Sequence, residues 1–258
     1  MSDQMLMNSP QNPDPADIFP KFAILDHIGE LRSRLTRCAL VLALAFFAAY
    51  TFREQIFHFL KAPLLQVLPE NQQYLHYTGL LDELMANLKL SLFASIALTM
   101  PVILFQGWRF ISPGLRKQEK KFVIPFVLSA TLFFLIGMAF AYYIVFPYGF
   151  KFLLNYSTVD KPILTIKEYL SLSTKIILLF GVIFELPMVL AFLGWLGILN
   201  TTLMRKNRRY AILIIAVAAA VLTPTQDAFT MGGMALLMYL LFEASIILVG
   251  FVQRKRIK

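Results

Sequence analysis

Three groups of residues have the types and spacing to do chemistry. The first is the run His27-Ile28-Gly29-Glu30-Leu31-Arg32-Ser33-Arg34-Leu35, directly ahead of an apolar stretch. Its carboxylate, held at a membrane–water interface, can accept a basic peptide. It can equally pair with Arg34 four residues on, a helix-surface contact worth about 0.2–0.5 kcal/mol. The second group is Ser112-Pro113-Gly114-Leu115-Arg116-Lys117-Gln118-Glu119-Lys120-Lys121, where Pro-Gly makes a tight turn and Glu119 is the one acid among five nearby cations. The plain reading of Glu119 is neutralisation of its neighbours. The chemical reading joins it to Glu30, because two carboxylates facing one cationic ligand suit arginine, whose planar fork bonds a carboxylate bidentately.

The third group is Phe184-Glu185-Leu186-Pro187, about sixteen residues into an apolar run. An ionised carboxylate at the centre of a bilayer costs about 2.5–3.5 kcal/mol on insertion scales and marks either function or a wet cavity. Lys175 is ten residues away, about 15 Å along a helix, and cannot be its direct partner. Pro187 removes a backbone donor at nearly the same depth. Nothing catalytic assembles around these groups. His27, His58 and His76 fall in interfacial stretches without a nucleophile at a recognised spacing. There is no H-E-x-x-H, no phosphate-cradling glycine loop and no pair of intramembrane aspartates. Cys38 is the only cysteine, which excludes an intramolecular disulfide. The expectation is a protein that is not an enzyme and holds no metal or cofactor.

The elements that must position these groups are membrane helices. The 258 residues are 58% hydrophobic with a mean hydropathy of +0.67, against about 45–50% apolar for a soluble domain. The net charge of +9 does not mark a nucleic-acid binder, because the basic residues sit in short clusters between apolar runs. The pattern predicts an all-α, polytopic integral membrane protein with six transmembrane helices over about 35–52, 84–110, 122–146, 169–196, 209–223 and 231–250. These make one domain, 21–251, between a disordered cytoplasmic tail at 1–20 and a basic tail at 252–258. Pro63 and Pro69 break the stretch after the first span, where Ile56, Phe57, Phe59 and Leu60 suggest short interfacial helices. Pro101 is expected to kink the second span, and Pro147 to stop the third. Helices five and six read as short. The fifth has thirteen apolar residues before Thr223, about 20 Å against a core about 30 Å thick. The sixth starts at Gly232-Gly233 and is interrupted by Glu243. Short spans call for a thinned bilayer or a neighbouring subunit. Four regions, the N-terminal tail with the head of the first span, 109–121, 205–209 and 254–258, hold 17 of the 24 Lys and Arg, so both termini are expected in the cytoplasm.

The segments at 27–35, 112–121, 184–187 and Thr223-Pro224-Thr225-Gln226-Asp227-Ala228-Phe229-Thr230 occur in this order on the expected helices. Together, over about Phe22 to Phe251, the chain resembles the TatC family, the six-span subunit of the twin-arginine protein translocase. The resemblance implies that the chain, with TatB, recognises the twin-arginine signal peptides of folded precursor proteins. It further implies recruitment of TatA for export driven by the proton motive force across the bacterial inner membrane. Glu30 and Glu119 match the glutamates that engage the arginines, with Arg32 and the aromatic Phe110 in the same signal-peptide site. Glu185 matches the mid-membrane acid, beside Pro187. Thr223, Asp227 and Thr230 match the polar end of the fifth span, where single-span partners dock, and Pro63 a proline of the first periplasmic loop. Ile28 stands where leucine is usual and Gln226 where a proline is common, and the acidic C-terminal tail of some members is missing. The competing function is a secondary transporter using Glu185 as its coupling carboxylate. Such carriers often show internal repeats, and none is visible here. An intramembrane hydrolase lacks the residues for the chemistry.

Overall fold

The structure is a computed structural model. It describes residues 15–68, 75–111, 123–154, 164–223 and 227–257, with side chains from 28 onward except at 111 and 254–257. Ten α-helices appear in these residues: α1 Pro15–Thr51, α2 Arg53–Val67, α3 Asp82–Ile111, α4 Val123–Phe140, α5 Phe146–Leu154, α6 Ile166–Phe184, α7 Leu186–Leu196, α8 Thr201–Lys206, α9 Arg208–Leu222 and α10 Ala228–Ile257. Among the described residues the one departure from helical pairing is a parallel bridge between His76 and Thr165. There the His76 N–H reaches the Leu164 carbonyl at 2.9 Å, and the Ile166 N–H reaches the His76 carbonyl at 3.1 Å.

Two prolines expected to break helices do not. Pro63 lies inside α2, and α2 is one 15-residue helix. A helical proline leaves the carbonyl four residues back without its donor. Here that carbonyl belongs to Phe59, and the Tyr142 hydroxyl donates to it at 2.7 Å. Pro147 was expected to end the third span, yet the chain stays helical to Leu154. A π-turn over Ala141–Val145 makes this possible, the Phe146 N–H reaching back five residues to Ala141. Pro101, expected inside the second span, lies within α3, which is continuous from Asp82 to Ile111.

Among the described residues, five helical stretches are long and apolar enough to cross a membrane: Ile28–Thr51, Asp82–Phe110, Val123–Leu154, Ile166–Leu196 and Ala228–Gln253. The fifth expected span, α9, has only 15 residues, about 22 Å. The sixth is not short, contrary to expectation: α10 runs 30 residues, about 45 Å. Each glycine costs a helix only about 1 kcal/mol, so the Gly232-Gly233 pair is tolerated. Glu243 does not interrupt α10 because its carboxylate is satisfied, by Arg208 at 2.7 Å and by the Tyr239 hydroxyl at 2.9 Å. At the other terminus α1 begins at Pro15, inside the stretch read as tail.

The bundle packs α1 on α3, α3 on α4 and α6, α4 on α6, and α7 and α9 on α10. Close helix approach in lipid relies on small residues. Gly137 of α4 lies where a Cβ would come within 2.5 Å of the Phe180 carbonyl and 2.8 Å of Phe184, and one on Gly181 of α6 would come within 2.6 Å of the Phe134 ring. Phenylalanines from each helix thus fill the glycine notches of the other. Large apolar side chains such as Leu44 and Phe47 on α1, Leu128 and Leu132 on α4, and Ile214 and Val217 on α9 face outward. In water these would form an anomalous patch, but in a lipid-embedded helix bundle they face their solvent.

Long-range contacts sort the helix ends into two groups. At one end Arg34 of α1 meets Gln106 of α3, Gln253 of α10 donates to the Leu199 carbonyl, and Arg208 of α9 meets Glu243. At the other, Lys167 lies 3.7 Å from Asp82, and Phe152 stacks on Phe229 at 5.0 Å. The first end collects Arg32, Arg34 and Arg37, Arg109, the Arg205–Arg209 run and the C-terminal end of α10.

Candidate functional site

The residues ahead of the first span are helical, so Glu30 and Arg34 stand one turn apart on the same face of α1. They are paired, Arg34 Nη2 donating to Glu30 Oε1. The pair is not an ordinary surface contact. Arg34 is drawn across onto α3, where its Nη1 faces the Gln106 carbonyl at 3.4 Å and its guanidinium carbon lies 5.8 Å from the centre of the Phe110 ring. Its side chain is only 10% exposed, against 37% for Glu30. Glu30, Ser33, Arg34, Arg37 and Arg109 line an adjoining cavity of about 180 Å³. Arg32 is exposed and outside this cavity. Glu119, the other expected glutamate, lies outside the described residues. The sequence had offered the Glu30–Arg34 pair as the plain alternative to a receptor carboxylate, whereas the structure puts that pair inside the candidate pocket. The parts of Gln106, Arg37 and Arg109 were not anticipated, since nothing in the local sequence says that α3 ends against α1.

Glu185 and Pro187 sit at the junction of α6 and α7. Pro187 supplies no N–H, and the Glu185 N–H bonds three residues back, to Val182 at 3.1 Å. The Glu185 side chain is buried, 7% exposed. Its Oε1 is one of four buried side-chain oxygens without a hydrogen-bond partner among the described residues, with those of Gln106, Thr131 and Ser173. The antiparallel fit of α4 on α6, with Phe134 in the Gly181 notch, brings Thr131, one turn before Phe134, to about the depth of Glu185. A buried carboxylate with an unmet acceptor has the composition of a site awaiting a polar partner.

At the opposite end, Asp227 caps α10. Its Oδ1 accepts from the Thr230 N–H at 2.8 Å and its Oδ2 from the Thr230 hydroxyl at 2.5 Å. Thr223 is buried, its hydroxyl donating to the Ala219 carbonyl at 2.8 Å. Thr223 and Thr230 both line a largely apolar cavity of about 660 Å³ between α5, α6 and α10, with Tyr148, Phe152 and Phe229 among its walls. Pro63 is buried on α2 near this same end. The expected residues therefore fall into separate places along the bundle: Glu30 and Phe110 at the basic end, Glu185 and Pro187 within the span, Thr223, Asp227 and Thr230 at the far end.

Long apolar helices, outward-facing apolar side chains and a carboxylate buried within a span define a polytopic helical membrane protein. Its relatives say which kind. Residues 26–236 match the family model described as Sec-independent protein translocase protein (TatC). The Sec-independent protein translocase protein TatC of Desulforapulum autotrophicum is 42% identical over 228 residues, covering 88% of this chain and 84% of that one. The protein of the same name from Escherichia coli K12 is 37% identical over 229 residues, 88% of each chain. A crystal structure of the twin arginine translocase receptor TatC superposes with a TM-score of 0.76 at 34% identity, covering 88% of this chain and 99% of that one. The chain belongs to the TatC family, a family of protein-transport components and not of enzymes.

Proposed function

We propose that this chain is the six-span receptor subunit of a twin-arginine translocase in the bacterial inner membrane, with both termini in the cytoplasm. The gathering of basic clusters at one end of the bundle supports that orientation. On this reading α9 is the remaining span, and its shortfall of several ångströms against a core about 30 Å thick is met by bilayer thinning or a partner helix. With TatB the subunit binds the twin-arginine signal peptides of folded precursors, Glu30 and Glu119 taking the two guanidinium groups. TatA is then recruited for export driven by the proton motive force. Thr223, Asp227 and Thr230 mark where single-span subunits dock, beside an apolar cavity large enough to take side chains of a visiting helix. Glu185, buried with an unmet acceptor, is suited to a polar group brought in by a partner or by water.

The observation that carries the receptor reading is the environment of Glu30. Its carboxylate already holds a guanidinium, and an aromatic ring and a backbone carbonyl complete the enclosure. A planar guanidinium can bond the carboxylate and the carbonyl while lying against the ring, so these three groups favour arginine over lysine. The test is binding of a labelled Arg-Arg signal peptide to the detergent-solubilised protein, compared with the same peptide carrying Lys-Lys. Strong Arg-Arg preference that disappears in Glu30→Ala and Glu119→Ala is expected. Equal binding of the two peptides would refute the assignment.

A further inference from the structure

We propose that Arg34 is a resident guanidinium that occupies the Glu30 carboxylate until a signal peptide displaces it, and so sets the affinity threshold of the receptor site. The inference rests on the reading of Glu30 as a receptor group. An arginine four residues after a glutamate on an exposed helix face swings in water and pairs weakly. Arg34 instead leaves that surface, crosses to α3 and is 90% covered. It takes up the set of contacts an incoming arginine would need: the carboxylate of Glu30, the carbonyl of Gln106 and the face of Phe110.

Two of the three contacts are loose. The 3.4 Å separation from Gln106 exceeds the usual N–H···O range of about 2.7–3.2 Å. The 5.8 Å separation from the Phe110 centroid is near the outer limit, about 6 Å, for attraction to a ring. The Glu30 bond is the strong one, so displacement exchanges one charge-assisted bond for another of the same kind. The adjoining cavity of about 180 Å³ offers the space for that exchange. Its described walls carry Arg37 and Arg109 as well as Arg34 around the one carboxylate of Glu30, and one carboxylate cannot bond two guanidinium groups bidentately. A second carboxylate is required, the part given to Glu119 above.

An internal competitor multiplies the apparent dissociation constant of every ligand by the same factor. A site held closed nine-tenths of the time binds about tenfold more weakly than its open form. That factor pushes a weak Lys-Lys ligand out of the working range and leaves an Arg-Arg ligand inside it, without altering the ratio between them.

The test uses the full chain in detergent and the two labelled peptides. Arg34→Gln should tighten Arg-Arg and Lys-Lys binding by a similar factor, about tenfold. Arg34→Lys keeps the charge and loses the fork, so the smaller gain expected there cannot come from relieved repulsion. Adding Glu30→Gln to Arg34→Gln should abolish the gain. A wild-type preference for Arg-Arg with unchanged or weakened binding in both Arg34 variants would overturn the inference, making Arg34 a strut for Glu30 while the receptor reading stands. Absence of any Arg-Arg preference in wild type and variants would remove the receptor reading and this inference with it. If Arg34→Gln fails to yield a monodisperse protein, Arg34→Lys decides, a gain supporting displacement and no gain rejecting it.

Discussion

The Tyr142 hydroxyl donates to the carbonyl oxygen of Phe59 at 2.7 Å, and Phe59 is the residue whose carbonyl Pro63 leaves without a helical donor. The two rings also stack at 4.3 Å and 3°. A donor 83 residues away in sequence thus mends the hydrogen-bond ladder of α2. Tyr142→Phe keeps the stack and removes the donor, and should lower stability by about 1 kcal/mol, as for a typical lost hydrogen bond. In a Pro63→Ala background the new N–H can serve Phe59, so the same change should cost much less. Thermal unfolding in detergent measures both, and an equal cost in the two backgrounds would show that the bond is not compensating for the proline.

The α4–α6 contact predicts a sharp contrast between glycines. Gly137→Ala places a methyl within 2.5 Å of the Phe180 carbonyl and should destabilise by about 1–3 kcal/mol. Gly149→Ala, in α5, meets nothing within 4 Å and should be neutral or stabilising by up to about 1 kcal/mol. Unfolding midpoints of the two variants that fall together would contradict the packing described.

Asp227 has a structural task, capping α10, beside its proposed docking role. Asp227→Ala should cost about 1 kcal/mol, whereas asparagine caps as well as aspartate. Asp227→Asn is therefore expected to keep the unfolding midpoint and to lose crosslinking to a single-span subunit. Full crosslinking in that variant would reduce the aspartate to a helix cap.

For Glu185 the expected separation is between steps. Glu185→Gln preserves shape and removes a buried ionisable group, so folding and peptide binding should persist while export falls. An export assay alongside the peptide-binding assay measures this, and parallel loss of both would mean that Glu185 has no separate step to serve.

Much of this arrangement was legible in the sequence because hydropathy reports transfer into lipid, which is what places a span. The apolar runs predicted α3, α6–α7 and α9 to within a few residues. Prolines misled the reading at Pro63 and Pro147, since a proline's cost is local but its remedy is not. The sequence cannot show that Tyr142 will face Phe59, or that a π-turn will absorb Pro147. Glu243 misled in the same way, an apparent interruption of α10 whose partner Arg208 lies 35 residues earlier. Glu30 was legible as a carboxylate one turn before Arg34 and just ahead of an apolar run. That α3 would bring Gln106 and Phe110 to the guanidinium beside it was not, because that depends on two helix ends meeting.

The interlocked glycines and phenylalanines of α4 and α6 also have a mechanical consequence. Sliding one helix along the other by a single residue, about 1.5 Å, would drive each ring against the backbone that faces it. The pair must travel as one body, with neither gliding nor twisting inside it. Compliance in this part of the molecule therefore belongs to the two places where the regular ladder has been given up, the π-turn at 141–145 and the step at Glu185. Both lie on the same two helices, one at each end of the rigid contact, so the segments beyond them can flex while their shared midsection holds its shape.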